Sequence, residues 1–67
     1  MSNVTLRYLM QSKKSQQRIL RILEEDFNCA ESNFQRAGVM VRIGAENQHL
    51  LDIEAVIFAR THARNAV

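Results

Sequence analysis

A chain of 67 residues with a net charge of +2 is one domain at most. Domains of this size bury only about 60% of the surface their unfolded chains expose, so they need a staple or a partner. A hydrophobic content of 46% and a charged content of 24% exclude a disordered chain. The single cysteine, Cys29, excludes an internal disulfide, and no Cys/His cluster has zinc-site spacing. Neither metal nor cofactor is expected, which leaves oligomerisation as the route to a sufficient core.

Residues 3–10, "NVTLRYLM", alternate Val4, Leu6, Tyr8 and Met10 against Thr5, Arg7 and Leu9. That pattern predicts a short strand, although Leu6, Leu9 and Met10 equally suit a helical turn. The stretch "MSNVTLRYLMQSKK" lacks the basic start, apolar run and cleavage site of a signal peptide. A soluble cytoplasmic protein is expected, in keeping with a lone thiol.

From Leu20 the apolar spacing becomes helical. Leu20, Leu23, Phe27, Ala30, Phe34, Ala37 and Val41 are separated by 3, 4, 3, 4, 3 and 4 positions. An unbroken repeat of this kind predicts one long helix over about 13–42, with Ser12 or Ser15 at its start. Ile19 and Ile22 widen the stripe. The segment Gly38 to Gly44, "GVMVRIG", also alternates as a strand would, but Val41 completes the heptad and the helical reading is preferred. Gly44 is then the natural stop.

A second helix is expected over about 46–64, with Asn47 as its cap. Leu51, Ala55, Phe58 and His62 form its stripe, flanked by Leu50, Ile53, Val56 and Ile57. Arg60, His62 and Arg64 fall in its last turns, where cations suit the helix dipole. Within it, "LLDIEAVIFA" has only Asp52 and Glu54 as polar residues. This run is far shorter than the roughly 20 residues that cross a bilayer, so no membrane partner is expected. A helical hairpin buries one side of each helix, and this segment is apolar on more than one. Two hairpins joined in a four-helix arrangement would cover the remainder. The expected architecture is therefore a single all-α domain, 1–67, that forms a homodimer. Its dimer core would hold Leu20, Leu23, Phe27, Phe34, Leu51, Ala55 and Phe58.

No catalytic constellation is present in the pattern, and the chain is read as a non-enzyme. Asp52 and Glu54 are two positions apart, about 200° around a helix, and do not converge. His49 and Asp52 are read as a solvated pair, and His62 as a histidine with its bonds satisfied inside the fold. Cys29 has acids on both sides, Asp26 and Glu31, unlike the electropositive surroundings of a reactive thiol. It is assigned to packing.

Charge is unevenly distributed. Arg7, Lys13, Lys14, Arg18 and Arg21 precede the first acid, and Glu24, Glu25, Asp26 and Glu31 follow without an intervening base. The basic block supplies candidate phosphate contacts, since Lys14, Arg18 and Arg21 share a helix face. With one tyrosine and no tryptophan, base stacking is poorly served. Duplex DNA, gripped through its backbone, is the nucleic acid that fits.

The strand-like "NVTLRYLM" followed by two helices resembles the ribbon-helix-helix repressors, and "ILEEDFNCAESNFQRA" is similar to the end of their first helix and the start of their second. The resemblance covers about 35 residues. It implies a dimeric DNA-binding regulator in which Thr5, Arg7 and Leu9 point outward into the major groove. The chain departs from that pattern at the turn between helices, where Phe27 and Asn28 stand in place of a glycine. The first expectation remains a small regulatory or adaptor homodimer that binds a protein partner, of the accessory type found in bacteria and their phages. The DNA-binding regulator, ribbon-helix-helix-like or helical, is the alternative.

Overall fold

The computed structural model describes residues 5–65, and these fold into two helices packed as an antiparallel hairpin. Helix α1 spans Leu6–Cys29 and helix α2 spans Asn33–Asn65. The short strand expected over 3–10 is absent from its described part: Leu6 to Met10 form the first turns of α1. Residues 3 and 4 of that span lie outside the described residues. The reason is local. Thr5 is in the extended region and its Oγ1 accepts from the Tyr8 amide at 3.1 Å, while its carbonyl accepts from Leu9 N at 3.1 Å. That is the geometry of an N-cap, which starts a helix at Leu6. Helical phase then groups Leu6 and Leu9 on the buried side, which a strand would not do.

The helix expected over 13–42 is broken at Ala30–Ser32, and Gly44 stops nothing, since α2 runs through it. The break is built by a cap. Ser32 Oγ accepts from the Gln35 amide at 3.1 Å, and Gln35 Oε1 accepts from the Glu31 amide at 2.9 Å. This reciprocal pair is a close relative of the capping box, S-x-x-Q in sequence. On the other side, Ala30 adopts an extended conformation and its amide donates to the Phe27 carbonyl at 3.3 Å. Arg36 completes the corner, donating to Asn33 Oδ1 at 3.0 Å and to the Ala30 carbonyl at 3.3 Å. An orphan carbonyl beyond the end of α1 thus meets a cation, which also suits the dipole of that end.

Two polar contacts set the register of the hairpin. Gln16 Nε2 donates to the Glu46 carbonyl and carboxylate at 2.9 and 2.6 Å, and Lys13 pairs with Glu54 at 3.5 Å. Around them, Leu9, Leu20 and Leu23 are buried, with Leu6 and Phe27 half-buried on the same face of α1 and Ala30 half-buried just past its end. From α2 the half-buried positions are Val39, Ile43, Glu46, Leu50, Ile53, Glu54 and Ile57. Both sets follow the 3–4 spacing of a helix seam. By this register α2 extends about two turns past the start of α1.

The second expected helix, 46–64, is the C-terminal part of α2 and not a separate element. Gly44 does not stop the helix, so no new helix starts at Asn47. A glycine in a helix interior costs about 1 kcal/mol relative to alanine, a small debit for a helix whose neighbouring turns, at Ile43 and Glu46, dock on α1.

Candidate interaction surfaces

The 3–4 repeat that runs from Leu20 to Val41 divides at the hairpin corner into two surfaces of different fate. Leu20, Leu23, Phe27 and Ala30 face α2 inside the hairpin. Phe34, Ala37 and Val41, still in phase, stand on the far side of α2 from α1 and are exposed; Phe34 retains 89% of its surface and Val41 73%. At 100° per residue the α2 positions that face α1, such as Val39 and Ile43, lie about 150° away from this stripe. The stripe then continues. Gly44, Gln48, Leu51, Ala55, Phe58 and His62 carry the same spacing onward, and all are exposed, with Leu51 at 57% and Phe58 at 61%. From Phe34 to Phe58 it is about 36 Å long. An exposed apolar band of this extent is a candidate interaction surface.

Of the residues expected in a dimer core, Leu20, Leu23 and Phe27 therefore lie in the seam within one hairpin, and Phe34, Leu51, Ala55 and Phe58 lie on the outer stripe of α2. Ile19 and Ile22, expected to widen the first stripe inward, are exposed.

A second surface occupies the outer face of α1. Arg7, Lys14, Arg18 and Arg21 fall within about 60° of one another around the helix, on the side away from α2, and all four are exposed. Lys13 departs from them: it turns to the seam and pairs with Glu54. Thr5 caps α1, and Leu9 is buried, so neither Leu9 nor an outward strand is available as the ribbon-helix-helix resemblance implied.

The other groups singled out in the sequence have local partners. Asp52 accepts from Gln48 Nε2 at 3.1 Å. His62 stacks on Phe58 with centroids 3.7 Å apart, and its Nδ1 lies 3.0 Å from the Phe58 carbonyl, which accepts the ring proton. Cys29 is exposed beside an open groove of about 620 Å³ at the corner, lined by Leu23, Asp26, Gln35, Gly38 and Arg42 among others. That volume is in the range of small-molecule sites, but such sites enclose most of their ligand and this groove is open. Among the described residues no three His, Cys, Asp or Glu side chains gather where a metal ion would sit, and no helix is long and apolar enough to cross a membrane.

Two features escaped the sequence reading. Gln16 is buried at 6% exposure, although it occupies a heptad position between Leu9 and Leu23 that was open to inspection. The other is the link between the stripes at 34–41 and 51–62, which runs through Gly44 as a small residue on the exposed face of α2. No protein-family model matches the chain, and neither do the curated proteins or the solved structures compared with it.

Proposed function

We propose that the protein is a small non-enzymatic regulatory or adaptor protein of the cytoplasm that works as a homodimer and binds another protein. The observation that carries this reading is the continuous exposed apolar stripe of α2, from Phe34 through Val41 and Leu51 to Phe58. Among the described residues the hairpin has three buried apolar side chains, Leu9, Leu20 and Leu23. Below about 70–80 residues a single core rarely supplies more than 3–5 kcal/mol, so a covered stripe would add stability that the isolated hairpin lacks. The test is sedimentation equilibrium over a micromolar range, with the Phe58→Asp variant beside the parent. A dimeric parent and a monomeric or unfolded variant are expected. A folded parent that stays monomeric at high micromolar concentration would falsify the homodimer.

A second reading, a regulator that binds duplex DNA, is favoured by the alignment of Arg7, Lys14, Arg18 and Arg21 on one exposed face of α1. Cations on such a face touch phosphates and release counterions, so affinity falls with salt at a log–log slope near −0.9 per contact. Fluorescence anisotropy of a mixed-sequence duplex at two salt concentrations decides it. Steep salt dependence, abolished by Arg18→Glu with Arg21→Glu, supports DNA binding; a flat trace at low salt excludes it and leaves protein binding.

A further inference from the structure

We infer that the α2 stripe is covered by α2 of a second copy, antiparallel, about a two-fold axis beside Gln48. This rests on the homodimer reading above and adds its face, direction and register. Three observations support it. The first is the sequence of sizes along the stripe: Phe34, Ala37, Val41, Gly44, Gln48, Leu51, Ala55, Phe58, His62. Reversed about Gln48, the stripe sets Phe58 against Ala37, Leu51 against Gly44 and Ala55 against Val41. In these three layers a larger side chain meets a smaller one, which is what interdigitation at one uniform helix spacing needs, while Phe34 falls opposite His62 at the two ends of the band. A parallel pairing sets Phe34 on Phe34, Phe58 on Phe58 and Gly44 on Gly44. No single interhelical distance fits both the bulky layers and the empty ones.

The second observation is that nothing else in the described chain matches the stripe. It is about 36 Å long, and the outer face of α1 that would have to cover it carries Arg7, Lys14, Arg18 and Arg21. Burying four unpaired cations against an apolar band is strongly unfavourable. The third concerns the one uncharged polar residue at the middle of the band. Gln48 Nε2 donates to Asp52 of its own helix, and beside the axis its second N–H and its carbonyl can pair with the same groups of the copy. A polar residue at one core position is a known device for selecting register. Because this stripe and the α1-facing seam are on nearly opposite sides of α2, the dimer is a row of four helices, α1–α2–α2–α1. The two basic faces then lie at its outer edges.

Cysteine cross-linking reads this directly, in a Cys29→Ser background checked for helicity by circular dichroism. Under mild oxidation Gln48→Cys is expected to form a covalent dimer, as is a mixture of Gly44→Cys with Leu51→Cys. Ala37→Cys and Phe58→Cys are each expected to remain uncrosslinked alone and to cross-link when mixed. Self-linking of Ala37→Cys and Phe58→Cys would overturn the antiparallel register while leaving the homodimer intact. A dimer by sedimentation in which none of these cysteines links would overturn the use of this face. A monomer by sedimentation would remove both the inference and the reading beneath it.

Discussion

Gln16 of α1 donates to both the backbone carbonyl and the side-chain carboxylate of Glu46 of α2, across a largely apolar seam. Hydrogen bonds to a charged acceptor are worth about 1.5–3 kcal/mol, and an abandoned buried partner costs as much as the bond itself. Gln16→Ala is therefore expected to destabilise the protein by about 2 kcal/mol in urea denaturation. Replacing both partners, Gln16→Leu with Glu46→Leu, removes the desolvation cost together with the bond and should come out near the parent or above it. A double variant as unstable as the single one would show that the polar pair, and not its burial, sustains the seam.

Gly38 lies inside α2, and a methyl group built on it meets nothing within 4 Å. Alanine at such a helical site restricts the unfolded chain and improves helix propensity. Gly38→Ala should gain up to about 1 kcal/mol, seen as a rise of several degrees in Tm. If the chain turned at this point instead, the same change would lower Tm.

The corner is held by Ser32 and Gln35, each bonding to a backbone amide near the start of α2. Loss of an N-cap side chain typically costs about 1 kcal/mol. Ser32→Ala and Gln35→Ala should each be destabilising, and the double variant should cost less than their sum because they build one structure. Strict additivity in chemical denaturation would refute the idea of a shared cap.

Leu23 is the most buried apolar residue of the seam at 4% exposure, whereas the side chains of the Lys13–Glu54 pair are 32% and 40% exposed. Leu23→Ala should cost about 2–5 kcal/mol, enough to unfold so small a domain. Lys13→Ala should change stability by well under 1 kcal/mol, since exposed ion pairs contribute little. Equal effects of the two changes in thermal melts would contradict the placement of the core.

The all-helical class was legible from residue spacing alone, because Leu20, Leu23 and Phe27 repeat at the period that a helix demands. So was the surplus of apolar surface after Leu50, and so was the grouping of Lys14, Arg18 and Arg21. The corner at Ala30–Ser32 carried a readable signal in "SNFQ", but the apolar repeat passes through it without a change of phase. Periodicity records which residues share a face; it is blind to a reversal of the chain between them.

The sequence by itself determined that the chain is helical, that its apolar residues line faces, and that Lys14, Arg18 and Arg21 share another. These are consequences of dihedral preference and of spacing along a single helix. Which apolar face is spent inside the hairpin was decided only by tertiary packing. Val39, Ile43, Leu50, Ile53 and Ile57 compete with Phe34, Val41, Leu51 and Phe58 for the same neighbour, and α1 has one apolar face to offer. The bond from Gln16 to Glu46 favours the first set, because in that register the buried carboxamide finds a partner on half-buried Glu46. The second set is left facing outward.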